Sequence, residues 1–160
     1  METKDQKIRF AVVGCGHIGK RHAEMIYQNK DSELVGLVDV QDPKTLGIDK
    51  YVVPFYSSLK ELLASDAAVD VISIASPNGF HACQALEALE AKKHIVVEKP
   101  LALKKGDAEK VIYKALNVHR HVFAVMQNRY SPPSEWIKGL VESGKLGKVF
   151  MVQLNCYWNR

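Results

Sequence analysis

The 160-residue sequence has no apolar stretch approaching the roughly 18 residues that cross a bilayer, and Met1 to Lys7 are not followed by a leader-like apolar core. Neither a membrane protein nor a secreted one is expected, and the expected setting is the cytoplasm. Cysteine is scarce. Cys15, Cys83 and Cys156 stand far apart without a Cys-x-x-Cys pair, and an odd number cannot complete a disulfide framework. Neither sign of charge dominates either: 22 Lys and Arg face 18 Asp and Glu, a net charge of +4. The bases are interspersed with acids rather than gathered in a stripe, so no nucleic-acid partner is expected. The small positive excess suits an anionic small ligand. Repeats and low-complexity segments are missing too. What remains, 47% hydrophobic and 25% charged residues, is the composition of a globular fold with a core.

Ile8 to Val13 is a short run of β-formers that stops at Gly14, the pattern of a buried strand. The period then changes, and Ile18, His22, Met25 and Ile26 share one helical face. Leu34 to Val38 reads as a second strand ending at Asp39. Gln41 to Lys50 reads as a loop with at most one helical turn, and Tyr51 to Tyr56 as extended. Ser58 and Glu61 form a capping-box pattern for a helix over Leu59 to Ala64. Strands follow at Asp70 to Ala75, Ile95 to Val97 and Val122 to Met126. Helices are expected at Phe80 to Lys92, at Asp107 to Val118 and from Pro132 to Val141. Val149 to Leu154 alternates like a strand. Unalternating apolar strands separated by helices call for an α/β fold, a doubly wound, mostly parallel, Rossmann-like sheet.

Gly14-Cys15-Gly16-His17-Ile18-Gly19 matches G-x-G-x-x-G, a weak signal alone. Its setting strengthens it: a strand before, a helix after, and an acid 20 positions beyond Gly19 at the end of the next strand. Gly14 allows the tight turn, Gly16 lets a pyrophosphate approach the backbone, and Gly19 lets helix and strand pack closely. The first-turn N–H groups of the helix then bind phosphate. Asp39 accepts hydrogen bonds from ribose hydroxyls and repels a 2′-phosphate, which favours NAD over NADP. His17 reads equally well as a residue over the pyrophosphate or as a solvated loop residue. S-adenosylmethionine-binding folds also use a glycine loop and an acid.

Two further segments, Ile74-Ala75-Ser76-Pro77-Asn78-Gly79-Phe80-His81 and Val97-Glu98-Lys99-Pro100-Leu101-Ala102, are not explained by a generic dinucleotide fold. Together with the glycine loop and Gln127-Asn128-Arg129-Tyr130, they give a sequence that resembles the glucose–fructose oxidoreductase, inositol dehydrogenase and rhizopine-catabolism (Gfo/Idh/MocA) family. The likeness runs nearly end to end, and Glu-Lys-Pro is its most specific mark. It implies an NAD-dependent oxidoreductase acting on a hydroxyl carbon of a sugar, cyclitol or nucleotide sugar. Residues 42–51 look like the corresponding stretch of UDP-N-acetyl-amino-sugar uronate dehydrogenases. The resemblance places Ser76, Pro77 and Asn78 at the cofactor and His81 near the same site, while His17 and Ile18 are cofactor candidates by their place in the glycine loop. Glu98 and Lys99 would face the nicotinamide, with a Lys99–Pro100 bond that is often cis in the family, and Gln127 and Arg129 would line the floor.

Lys99 is the expected catalytic residue, because hydride removal from a carbinol carbon needs a group to hold and deprotonate the hydroxyl. An ammonium in a partly desolvated cleft has a lowered pKa, which makes the neutral amine available as that base. Read from the residues alone, it is as easily a surface lysine paired with Glu98. His119-Arg120-His121 lacks metal-ligand spacing for one helix face, so no metal is expected. His22 reads as a packing histidine against the loop. Trp136, Tyr157 and Trp158 fit a core or an interface equally. The resemblance divides the chain into a dinucleotide-binding domain, 1–126, and the opening of a truncated α+β substrate and oligomerisation domain, 127–160. A strand after Gly147 would be free to pair with another chain, and the full-length protein is expected to be a homo-oligomer. The alternative is a non-catalytic NAD-binding module or subunit.

Overall fold

The computed structural model describes residues 7–155 and 157, and two compact units emerge, Met1–Val125 and Met126–Arg160. In the first, a six-stranded parallel sheet is built from β1 (Ile8–Val13), β2 (Ser32–Val38), β3 (Phe55–Tyr56), β4 (Val71–Ile74), β5 (His94–Val97) and β6 (Val122–Ala124), in the order β3-β2-β1-β4-β5-β6. The helices are α1 (His17–Gln28), α2 (Pro43–Leu46), α3 (Leu59–Ala64), α4 (His81–Glu90) and α5 (Lys105–Asn117). Strand order reverses between β1 and β4, and in open α/β sheets ligands bind at that crevice, beyond the carboxyl ends of the strands.

Both faces of the sheet are covered, which is why its strands carry apolar residues without alternation. On one face Ala11, Val13, Ile72, Ile74, Ile95 and Val97 pack against Leu59, Leu62, Ala85, Leu89 and Val111. On the other, Val12, Leu34 and Leu37 meet Ala23, Leu46, Ile48 and Tyr51. Leu34 and Leu37 are three apart, a spacing that normally puts strand residues on opposite faces. They share a face because the β1–β2 register slips between Phe10 and Ala11, leaving Val35 without a partner on β1.

In the first unit β1 and α3 keep their expected ends, and the other expected elements are present with shifted ends. The stretch after Asp39 holds a single four-residue turn, α2, with the Asp42 carboxylate accepting the N–H groups of Lys44 and Thr45. The extended segment expected from Tyr51 shrinks to Phe55–Tyr56. The capping box is half formed. Ser58 Oγ accepts the Glu61 N–H at 3.2 Å, whereas the Glu61 carboxylate reaches one residue further back, to the N–H and hydroxyl of Ser57. Those two bonds hold the Glu61 carboxyl below its ordinary range. Among the described residues no helix is long and apolar enough to cross a membrane.

The second unit contains a 3-10 turn, Gln127–Tyr130, and α6 (Pro132–Glu142), which starts with proline in the first turn. The expected strand from Val149 to Leu154 does not form. Alternation marks a chain able to pair, but a strand exists only through a neighbour's ladder, and none of the described residues supplies one. Phe150, Met151 and Leu154 are exposed instead. Cys156 and Trp158 lie outside the described residues.

Candidate functional site

The turn after β1 is built on two glycines that admit no side chain. Gly14 has φ +84°, and its N–H donates to Val38 O at 2.8 Å. A Cβ on Gly14 would lie 2.4 Å from Ser76 N, and one on Gly19 would lie 1.7 Å from Gly14 O. A Cβ on Gly16 would meet nothing within 4 Å. Gly16 caps α1 without a side-chain acceptor, so the amides of His17, Ile18 and Gly19 have none from the cap. His17 and Ile18 are exposed there. The result is an uncapped helix N-terminus with an open backbone approach at Gly16.

Asp39, at the end of β2, does two things at once. Its Oδ2 accepts the Cys15 N–H at 2.7 Å, and its Oδ1 accepts the Gln41 N–H at 2.9 Å. Cys15 itself points inward, and burial, followed by the nearby Asp39 charge, pushes its thiol up to about 12. It is therefore a packing residue, not a nucleophile. Asp39 and Gly14 also border a cavity of about 450 Å³ between the ends of β2 and β4. Ser76 and Pro77 form part of its wall, together with Val40, Ser57, Lys60, Phe80 and Cys83. Sequence reasoning missed this second group. Val40 and Phe80 are apolar yet 91% and 55% exposed, and their only signals were adjacency to the acid and to the Ser76-Pro77-Asn78-Gly79 turn. Ser76 Oγ donates to Gln84 Oε1 at 2.6 Å, while Asn78 sits exposed in the 3-10 turn that opens α4.

The segment following Asp39 is tied to α1 through Glu24. Its carboxylate accepts Lys50 Nζ at 2.7 Å, the Tyr51 hydroxyl, and Gln28 Nε2 at 2.6 Å. The Lys50 bond, then the Tyr51 bond, lower the Glu24 carboxyl from the ordinary 4.5 to about 2. A carboxyl with a depressed folded-state pKa stabilises the fold fully above the ordinary value and loses that contribution as pH falls through its folded value. Glu24→Gln is therefore expected to lower the melting temperature at pH 6, with the difference from the unaltered chain shrinking between about pH 4.5 and pH 2. Thermal melts across that range check it, and a pH-independent difference contradicts it.

At the end of β5, the Glu98 N–H donates to Ile74 O at 2.9 Å, and the Lys99–Pro100 bond is cis. Glu98 Oε2 accepts the Lys99 N–H at 3.2 Å, and Oε1 lies 3.1 Å from His22 Nε2. Lys99 itself is exposed, not set in the desolvated cleft expected for it. His22 departs from expectation too: it leaves the glycine loop and reaches across to Glu98 and to Ser73 Oγ, 2.8 Å from its Nδ1. His81, expected to touch the cofactor, has no exposed surface. Its two ring nitrogens lie 2.7 Å from the carbonyl oxygens of Ser76 and Pro100, so it joins the two loops.

Residues 8–126 match the family model of the Gfo/Idh/MocA oxidoreductases, the NAD-binding Rossmann fold. The chain belongs to that family. It is 28% identical over 153 residues to the myo-inositol 2-dehydrogenase of Thermotoga maritima, a match covering 92% of this chain and 44% of the relative. Among solved structures, the WlbA dehydrogenase of Bordetella pertussis, in complex with NADH and UDP-GlcNAcA, superposes with a TM-score of 0.83 at 33% identity. That match covers 91% of this chain and 42% of the other. The scyllo-inositol dehydrogenase of Lactobacillus casei, with bound NAD(H) and scyllo-inositol, gives 0.82 at 27% identity over 89% of this chain and 43% of that one. The chain thus spans less than half the length of the relatives it matches.

Within this Gfo/Idh/MocA chain a larger depression, about 760 Å³, lies at the opposite, amino-terminal end of the strands. Three of its cations are already engaged: Arg9 with Asp70, Lys93 with Val69 O, and Arg120 with the carbonyls of Lys92 and His119. We assign the site to the smaller cavity because it borders the glycine loop at the switch point. His119 and His121 share no metal cluster, and among the described residues no group of three His, Cys, Asp or Glu is placed to hold a metal. Gln127 and Arg129 occupy the 3-10 turn of the second unit.

Proposed function

We propose that the protein is an NAD-dependent oxidoreductase in which this chain supplies the cofactor domain, acting on a hydroxyl carbon of a sugar, cyclitol or nucleotide sugar. The observation that carries this reading is the cradle at Gly14 and Gly19, where a side chain has no room, beside an open approach at Gly16 and a carboxylate at Asp39. These residues fit a dinucleotide. The uncapped amides of His17, Ile18 and Gly19 suit a pyrophosphate, and Asp39 suits ribose hydroxyls. Val40, Pro77 and Phe80 offer apolar surface to an adenine, and Ser76 and Asn78, on either side of Pro77, would border the cofactor. NAD, when bound, supplies the hydride acceptor or donor. Lys99 holds the substrate hydroxyl and takes its proton, and Glu98 supports it. His81 serves this site through the loops it ties together.

The substrate class is supported by the relatives that act on cyclitols and by the WlbA structure with its nucleotide sugar. A cytoplasmic setting fits the free thiols of Cys15 and Cys83. Association into a homo-oligomer is supported by the exposed apolar side chains of Phe150, Met151 and Leu154.

The test is an NADH titration followed by turnover on a panel of cyclitols, hexoses and nucleotide sugars. Lys99→Ala is expected to lower kcat about 10²-fold or more, the range for removing a general acid or base, with NADH affinity changed only a few-fold. Unchanged NADH emission on adding the protein would overturn the cofactor reading, and unchanged kcat in Lys99→Ala would overturn the role of Lys99.

A further inference from the structure

We propose that His22 is a positioning residue for the nicotinamide end of the site: it holds the Glu98 carboxylate in place and thereby fixes the backbone at Lys99. The inference rests on the functional reading of Lys99 above. His22 follows Ile18 by four residues, so it lies one turn along the same face of the helix whose amino terminus opens at the glycine loop. Its side chain and that of Glu98 retain only 17% and 15% of their exposure. Both ring nitrogens are engaged, Nδ1 with Ser73 Oγ at 2.8 Å and Nε2 with Glu98 Oε1 at 3.1 Å.

The proton arrangement follows from the partners. A carboxylate only accepts, so Nε2 carries the hydrogen and donates it to Glu98. With the ring neutral, the Ser73 hydroxyl donates to Nδ1; with the ring charged, it accepts from Nδ1. Glu98 receives a donor in either state. Its second oxygen takes the Lys99 N–H, and its own N–H is tied to Ile74 O. Glu98 is thus fixed through its main chain by β4 and through its side chain by α1, and it fixes the next peptide in turn. Removing the imidazole leaves a carboxylate of low exposure with one donor fewer, free to turn toward solvent and to release the Lys99 peptide. The order of hydroxyl, imidazole and carboxylate is that of a hydrolytic triad, but Ser73 is 1% exposed and meets no substrate. The set orients and does not attack.

The experiment uses two probes, NADH and ADP-ribose, the second carrying the adenosine and both phosphates but no nicotinamide. Affinities are measured for the unaltered chain, His22→Ala, His22→Gln, Glu98→Ala and the double variant His22→Ala/Glu98→Ala. His22→Ala and Glu98→Ala are each expected to weaken NADH about five- to tenfold, and the double variant no more than the weaker single one, the non-additivity of residues in one hydrogen-bond network. His22→Gln, whose amide still donates, recovers most of the loss. ADP-ribose affinity stays within about twofold throughout, which a merely structural role would not allow. Equal losses for both probes, or additive losses in the double variant, overturn the positioning role and leave the cofactor reading standing. An unaltered chain that binds neither probe overturns that reading and this inference with it.

Discussion

Gly19→Ala is expected to abolish NADH binding and to destabilise the chain by about 3 kcal/mol or more, the upper range for overpacking. Gly16→Ala, three residues away, is expected to leave the melting temperature unchanged while weakening NADH at least about tenfold. The contrast follows from where a methyl group goes. At Gly19 it would lie 1.7 Å from the Gly14 carbonyl oxygen, a backbone atom that cannot swing aside, so α1 must move off β1. At Gly16 it would enter open space and meet no protein atom, and φ there is an ordinary −67°. The only thing it obstructs is a ligand's approach to the helix N-terminus. Melting curves paired with NADH titrations separate the two effects. If Gly16→Ala binds NADH as the unaltered chain does, the pyrophosphate is not seated at that backbone.

Asp39→Ala should cost affinity for NADH by about 100-fold and stability by about 1–3 kcal/mol, the range for a buried donor left without its partner. The affinity loss reflects charged hydrogen bonds to ribose hydroxyls, each worth about 1.5–3 kcal/mol. The stability loss is separate: the N–H of buried Cys15 loses its acceptor, whereas the exposed Gln41 N–H turns to water. Asp39→Asn keeps an acceptor oxygen and removes the charge, so it should recover part of the stability and narrow the preference for NADH over NADPH. Calorimetric titration with both cofactors, alongside urea unfolding, checks each part. NADH affinity unaffected by Asp39→Ala would show that the ribose is held elsewhere.

The parallel sheet was legible because its signals are local. An apolar run bounded by Gly14, a serine cap at Ser58, and the shift of period after Gly16 each need only a few neighbouring residues. Helix α3 came out with the expected ends for that reason. The misses share the opposite character. Val149 to Leu154 alternates as a strand should, yet pairing depends on a partner that the alternation does not specify. Glu61 chose Ser57 over Ser58, a difference of one residue in loop geometry. Within the candidate site, the glycine loop and Asp39 were read from spacing, whereas the bond between Asp39 and Cys15 was not. His22 was read as a packing residue because its partners, Ser73 and Glu98, lie 51 and 76 positions away. Val40 and Phe80 carry no chemistry of their own, and only the fold shows them flanking a cavity.

The slip in register between β1 and β2 reaches beyond core packing. Ahead of it Phe10 stands beside Leu34; past it Val13 stands beside Val38, so Asp39 comes level with the glycine turn. Were the ladder continuous, Val13 would face Leu37, and Asp39 would overshoot the turn by one residue, about 3.3 Å, with its carboxylate rotated to the other side of the sheet. Val35, without a partner on β1, thus acts as a spacer that sets the height and facing of Asp39 from several residues upstream. In the proposed cofactor site, recognition would depend on counting residues along β2 as much as on the acid at its end.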